Sequence, residues 1–146
     1  FGLPPTGQPS GHTHGRPAVP RDENPDFFAP AGNISLSLED WARFCIDQLK
    51  GAHGEGQLLK AESYALMQTP EPGAPVSMGW FSEARMGALQ GPILHHEGSD
   101  GAWYAIVALF PRINAGVLVT ANAGKDMGGM SLDTAVAMSA AGMIAR

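Results

Sequence analysis

The residues best suited to chemistry lie close together in residues 94–103, which read LHHEGSDGAW. This stretch holds an imidazole at His96, a hydroxyl at Ser99 and a carboxylate at Asp100, the groups that nucleophilic acyl transfer uses. Neighbours on an extended strand do not converge on one point, so the sequence does not favour a catalytic triad built from these three. Gly98 has no side chain, so a ligand could approach the strand closely there.

Two histidine pairs could suggest a metal site. Adjacent strand residues point to opposite faces, so His95 and His96 are poorly placed to bind one ion. His12 and His14 fall in a segment that we expect to be mobile, and we expect no metal ion. Several other residues are expected to serve the core or a turn: Cys45, Trp41, Phe44 and Trp80 in the core, and Asp100 and the glycines of Gly51-x-x-Gly54-x-Gly56 in turns.

Composition excludes several classes of function. The chain has 146 residues with 44% apolar and 16% charged residues, which is typical of one domain with a sizeable core. Its net charge of -5 is unfavourable for nucleic-acid binding, which depends on cationic side chains. The longest apolar run, residues 102–110, is far shorter than the roughly 20 residues of a membrane span. The single Cys45 excludes an internal disulfide.

Proline is concentrated at the start of the chain, where seven of the twelve prolines precede residue 31. We therefore expect residues 1–36 to be an extended Pro/Gly-rich segment that is mobile or wraps a partner, and residues 37–146 to be the folded portion. The chain begins Phe1-Gly2-Leu3-Pro4 without an initiator methionine, so we expect a piece of a longer protein.

Apolar spacing predicts an α/β (α+β) fold, with an antiparallel sheet flanked by helices. The predicted helices are about Leu38 to Lys50 after the Ser37 cap, Ala61 to Gln68 before Pro70, and Ser131 to Ile144 with Asp133 in its first turn. The predicted strands are Met78 to Ala84, Ile93 to Gly98, Trp103 to Phe110 and Ala115 to Ala121, with a turn over residues 111–114. The last two strands do not alternate cleanly, so both faces of the sheet should be covered.

Four segments in order carry a family resemblance. They are residues 29–44 (APAGNISLSLEDWARF), Gly79-Trp80, residues 96–99 (HEGS) and residues 117–124 (VLVTANAG). Together they resemble the C-terminal part of the serine β-lactamase and penicillin-recognising hydrolase family, on its class C and esterase side. In that family a Lys-Thr-Gly or His-x-Gly triplet lies on the strand that lines the active-site cleft.

The resemblance implies roles for five residues. His96 takes the lysine position, and the backbone N–H of Ser99 matches the donor that completes the family's oxyanion hole, so these two are the expected catalytic residues. Glu97, Gly98 and Trp103 are the expected substrate-binding residues. Glu97 replaces Thr, and its carboxylate would repel that of a penicillin, which favours an esterase or amidase of the same fold. No cofactor is implied.

The family's other two motifs are not found in this sequence. No serine has a lysine three residues later, and no tyrosine or serine has an asparagine two residues later. We therefore expect an upstream part of the same domain to supply the nucleophile and base for a small acyl substrate, and this chain to be inactive alone. The resemblance would fit a periplasmic or secreted protein. The alternative is a non-catalytic binding or scaffold module that self-associates through exposed strand edges.

Overall fold

The chain folds around an antiparallel sheet with helices on both faces. The computed structural model describes residues 7, 9–18 and 25–144. The strands in these ranges are β1 (His12–Thr13), β2 (Arg16–Pro17), β3 (Val76–Ser77), β4 (Trp80–Met86), β5 (Leu89–Ser99), β6 (Tyr104–Phe110) and β7 (Ala115–Ala121). The α-helices are α1 (Ala29–Gly32), α2 (Leu38–Ala52), α3 (Ala61–Gln68) and α4 (Lys125–Ile144), with short 3-10 helices at Asp26–Phe28 and Pro111–Ile113. The predicted α+β class is confirmed.

The main sheet has the order β3-β4-β5-β6-β7, and each neighbouring pair is antiparallel. One buried cluster lies between the sheet and α4; it contains Leu89, Ile93, Ala108, Phe110, Val117, Val136 and Ala140. A second lies between the opposite face and α2; it contains Cys45, Leu49, Trp80, Leu94, Val107 and Leu109. Both faces are covered, which is why the strands lack clean apolar and polar alternation.

Local sequence signals account for α2. The Ser37 hydroxyl accepts a hydrogen bond from the Asp40 backbone N–H at 3.1 Å, which is the predicted N-terminal cap. Arg43 donates to Asp40 at 2.7 Å and to Glu39 at 2.6 Å on the exposed side of the helix. The helix ends two residues beyond the predicted end at Lys50. The predicted bounds of α3 are confirmed.

Tyr64 joins α3 to the end of α2. Its hydroxyl donates to the Asp47 carboxylate and accepts from the Leu58 N–H at 3.1 Å. A Cβ atom on Gly51 or Gly56 would lie 2.2 or 2.3 Å from the ring of Tyr64, so both positions require glycine. The glycines at 51 and 56 therefore allow the Tyr64 ring to pack between them. Both were expected to serve only as turn residues, and Gly51 lies within α2.

The start of the last helix differs from the prediction. α4 begins at Lys125, six residues before Ser131, so Ser131 lies within the helix and is not its cap. The side chains of Ser131 and Asp133 lie outside the described residues. The Lys125 ammonium group lies 5.7 Å from the centroid of the Tyr104 ring, so the first turn of the helix contacts the sheet. Packing against the sheet thus outweighs the weak helix propensity of this glycine-rich segment.

The N-terminal segment contains more structure than predicted. Of residues 1–36, residues 1–6, 8 and 19–24 lie outside the described residues. β1 and β2 form a short hairpin that docks on the end of the main sheet of the same chain. The His12 N–H donates to the Ala102 carbonyl at 3.0 Å, and the Gly124 N–H donates to the His12 carbonyl at 3.0 Å. Such contacts between distant residues are not visible in local sequence patterns.

The connection between β6 and β7 is the tight turn that was predicted. The 3-10 helix at Pro111–Ile113 is followed by Asn114 in the left-handed conformation, with φ 49° and ψ 49°. Asparagine tolerates that conformation better than most residues. None of the helices in the described ranges has the length and apolarity needed to cross a bilayer.

Candidate functional site

Strand β5 presents its residues alternately to the two faces of the sheet. Leu94 packs in the cluster on the α2 side, and His96 and Gly98 follow it at intervals of two residues. Ile93 packs on the α4 side, so Glu97 and Ser99 direct their side chains to that opposite face. The candidate site residues of one short sequence stretch are thus separated into two groups.

A cavity of about 380 Å³ lies on the α2 side of β5. Its lining consists of Trp41, Phe44, Met67, Met78, Gly79, Trp80, His96, Glu97, Gly98, Ala105 and Val107. The sequence-predicted residues His96, Glu97 and Gly98 are therefore brought together at one opening. Phe44, expected in the core, is 37% exposed and forms part of this lining.

Gly98 leaves the strand accessible from the cavity. A Cβ atom built at this position would meet no other atom within 4 Å. The backbone has an ordinary φ, so the position could accept a side chain without strain. The missing side chain thus leaves open space next to the main chain, which suits close approach by a planar or extended ligand.

Glu97 contributes to the cavity through its main chain, while its carboxylate is held on the other face. One carboxylate oxygen accepts a hydrogen bond from the buried Tyr104 hydroxyl, and the other pairs with the ammonium group of Lys125. The Lys125 ammonium also lies 5.7 Å from the centroid of the Tyr104 ring. These hydrogen bonds, first from Lys125 and then from Tyr104, lower the pKa of Glu97.

This pairing corrects the expected effect of Glu97 on an anionic substrate. Its charge is balanced by Lys125 and its carboxylate is turned away from the cavity, so it does not repel a ligand there directly. Sequence reasoning missed Lys125, which lies 28 residues from Glu97. The available signal was that Lys125 follows closely after β7, the strand that pairs with β6. It was overlooked because the helix was predicted to begin six residues later.

Ser99 and Asp100 organise the turn that follows β5. The Ser99 hydroxyl donates to the Trp103 carbonyl at 2.6 Å and accepts from the Gly101 N–H at 3.0 Å. The Asp100 carboxylate accepts from the N–H groups of Ala102 and Trp103 at 2.8 and 2.7 Å. The predicted turn role of Asp100 is confirmed. His96 lies on the opposite face from Ser99, so a local triad does not form.

Trp103 lies against the N-terminal segment, and it is not part of the cavity lining. A Cβ on Gly11 would lie 2.6 Å from Nε1 of Trp103, so the indole packs directly on that glycine. His12 Nδ1 donates to the carbonyl of Asn122 at 2.8 Å, which holds the same segment in place. The structure therefore places Trp103 at the docked hairpin, apart from His96.

His95 is separate from His96. Its ring stacks on Phe81 with centroids 5.3 Å apart, and its Nε2 lies 3.7 Å from a carboxylate oxygen of Glu83. Across the described ranges, no three His, Cys, Asp or Glu side chains cluster as a metal site. The core position of Cys45 is confirmed, and burial raises the pKa of its thiol to about 11.

A larger cavity of about 580 Å³ lies at the other end of the sheet. Its lining is mainly apolar: Ala88, Leu89, Gln90, Phe110, Arg112, Ile113, Ala115 and Met143. This set includes no nucleophile and no acid-base side chain with a pKa near neutrality. The cavity beside His96 is therefore the better candidate for chemistry.

Comparison with known proteins gives one match. The family model described as Beta-lactamase matches residues 1–141, nearly the whole chain. No curated protein and no solved structure gives a significant match.

Proposed function

The chain belongs to the beta-lactamase family, and on that premise we propose that it forms one wall of a serine-hydrolase active site. The reaction is hydrolysis of an ester or amide, including a β-lactam or a D-amino-acid peptide, through an acyl-serine intermediate. The observation that supports this proposal is the placement of His96 and Gly98 together on one side of β5, beside an open cavity.

The proposed roles follow from the chemistry of acyl transfer. The backbone N–H of Ser99 donates to the oxyanion of the tetrahedral intermediate, a contribution of about 3 to 4 kcal/mol to lowering the barrier. The imidazole of His96 orients the nucleophile's hydrogen-bond network or contacts the substrate. Gly98 lets the substrate reach the strand. Glu97 lines the opening with its main chain, and Trp103 supports the turn that positions Ser99.

The nucleophile and the general base belong, in this proposal, to a part of the domain upstream of this chain. The gene should then encode a Ser-x-x-Lys and a Tyr-x-Asn motif before Phe1. A longer gene product containing both motifs should hydrolyse a chromogenic β-lactam or a short acyl ester, whereas the 146-residue chain should not. Absence of both motifs from the upstream sequence would contradict the proposal.

A non-catalytic, self-associating module is the second candidate. β7 pairs only with β6 among the described residues, so its other edge could pair with a second copy. In that case the isolated chain should form a stable dimer, and the longer gene product should not react with a fluorophosphonate. A serine adduct on that product would exclude this candidate.

A further inference from the structure

We propose that Tyr104 and Lys125 are positioning residues for the backbone N–H of Ser99. They act through the Glu97 carboxylate, which both of them bind. The inference rests on the proposed function, because that N–H is the proposed oxyanion donor. It goes further by assigning a role in the reaction to two side chains on the face of the sheet opposite the cavity.

The last residues of β5 have a neighbouring strand on only one side within the described part of the chain. The pairing of β4 with β5 ends where Phe81 lies opposite His95. β6 continues to pair with β5 as far as Ser99, which lies opposite Tyr104. A strand end without a neighbour on one side lacks ladder hydrogen bonds there, so residues 97–99 need another support to keep a fixed position.

The side chain of Glu97 supplies that support. One carboxylate oxygen accepts a hydrogen bond from the Tyr104 hydroxyl on β6, and the other pairs with the Lys125 ammonium group at the start of α4. Tyr104 is 1% exposed, so packing fixes its ring and gives its hydroxyl a defined position. The carboxylate is thereby tied to a neighbouring strand and to a helix at the same time.

This tie lies two residues from the proposed donor. Gly98, between Glu97 and Ser99, has no side chain, and a Cβ there would meet no atom within 4 Å, so side-chain packing does not hold this residue. The peptide planes between them are rigid, so a displacement of Glu97 moves the Ser99 N–H. An oxyanion donor must lie about 2.7 to 3.1 Å from the oxyanion, so a small displacement weakens its effect.

NMR of the 146-residue chain tests the positioning without any reaction. Tyr104→Phe removes the hydroxyl that binds Glu97, and it should lower the amide order parameter of Ser99 from about 0.85 towards about 0.6. Lys125→Met should lower it in the same direction, and it decides the question if Tyr104→Phe does not fold, because Lys125 is an exposed side chain.

Tyr64→Phe is the matched control for Tyr104→Phe. Tyr64 is also 1% exposed, and its hydroxyl also donates to a carboxylate, that of Asp47, where α3 joins α2. The control should lower the stability of the chain and leave the Ser99 order parameter unchanged. A general loss of stability is thereby distinguished from a loss of positioning.

Hydrolysis of a chromogenic acyl ester by the longer gene product tests the consequence for catalysis. Tyr104→Phe and Lys125→Met should each lower kcat about fivefold and leave KM unchanged, because an oxyanion donor acts in the transition state. Lys125→Arg keeps the ion pair and should retain the parent kcat. Tyr64→Phe should also retain it.

A Glu97→Ala background shows whether Lys125 acts through this carboxylate. Lys125→Met should cause no further loss of kcat in that background, because the ion pair is already absent. A further fivefold loss would contradict the inference, since it would mean that Lys125 acts by another route.

Two other results would overturn the inference. One is a Ser99 order parameter that neither Tyr104→Phe nor Lys125→Met changes, and the other is an unchanged kcat in both variants of an active parent. Failure of the proposed function is recognised separately, as the absence of hydrolysis by the parent gene product. The NMR comparison still decides the positioning in that case, because it needs no substrate and no nucleophile.

Discussion

The carboxylate of Glu97 on β5 pairs with the ammonium group of Lys125, the first residue of α4, on the face opposite His96. Tyr104 on β6 donates to the same carboxylate, so one acidic side chain joins two strands and a helix. This arrangement anchors β5 from the side away from the cavity. Glu97 therefore holds the part of β5 that carries His96 and Gly98, and its charge is balanced by Lys125 at the surface.

We predict that Lys125→Met lowers the free energy of unfolding by about 0.5 to 1 kcal/mol at pH 7, since both charged groups are partly exposed. The pKa of Glu97 is lowered in the folded state, so this contribution is present above the unfolded pKa, near 4.5, and is lost as pH falls below it. Urea unfolding at pH 7 and pH 3 measures the difference. Lys60→Met is the matched control, and an equal loss at both pH values would contradict the assignment.

Substitution of Gly98 by leucine should fill the cavity without disturbing the fold. The position has an ordinary φ and no atom within 4 Å of a Cβ, so the free energy of unfolding should change by only about 0.5 kcal/mol. In the longer gene product, Gly98→Leu should slow labelling by a fluorophosphonate about tenfold or more, because the leucine side chain occupies the space beside the strand that the reacting group needs. Gly142→Leu, at an equally open position on α4, should be labelled at the parent rate. An unchanged labelling rate in Gly98→Leu would show that the reacting group does not approach this strand.

Glycine at position 51 should be essential for the packing of Tyr64. A Cβ there would lie 2.2 Å from the ring, so Gly51→Ala should cost about 2 kcal/mol despite the better helix propensity of alanine. Gly142→Ala meets no atom within 4 Å and should stabilise the chain by about 0.5 to 1 kcal/mol. Urea denaturation curves of the two variants compare them directly. Equal effects would mean that Tyr64 is not packed against Gly51.

The Cys45 thiol should be unreactive in the folded protein. It is 2% exposed, and burial raises its pKa to about 11, so the thiolate is scarce at pH 8. Because the folded pKa is higher than the unfolded value, this group's contribution to stability is full below about pH 9 and decreases as pH rises towards 11. Reaction with a disulfide reagent at pH 8 should be slow in buffer and rapid in urea. Rapid reaction in buffer would show that Cys45 is not buried between α2 and the sheet.

The sequence predicts the helices and strands whose signals are local. The Ser37 cap and Pro70 mark the start of α2 and the region where α3 ends, and the two-residue period of β5 predicts that His95 and His96 face opposite ways. The start of α4 was not predictable, because its glycine-rich first turns are stabilised by contacts of Lys125 with Glu97 and Tyr104 on distant strands.

The same limit applies to the candidate site. His96 and Gly98 could be chosen from their order and spacing, and the structure places both beside one cavity. The pairing of Glu97 with Lys125 depends on how α4 crosses the sheet, and the docking of His12 depends on contacts with residues about 110 positions away. Local patterns carry no information on such distant contacts. The direction of the Glu97 carboxylate is therefore visible only in the folded structure, where Tyr104 and Lys125 bind it.

Mapping a fluorophosphonate adduct tests the central claim most directly. The longer gene product and the 146-residue chain are each treated with the reagent, and the labelled serine is identified by peptide mass spectrometry. The proposed function predicts an adduct on a serine upstream of Phe1, a lower labelling rate in His96→Ala, and no adduct on the shorter chain. An adduct on Ser99 or another serine of this chain would contradict it, as would undiminished labelling of His96→Ala.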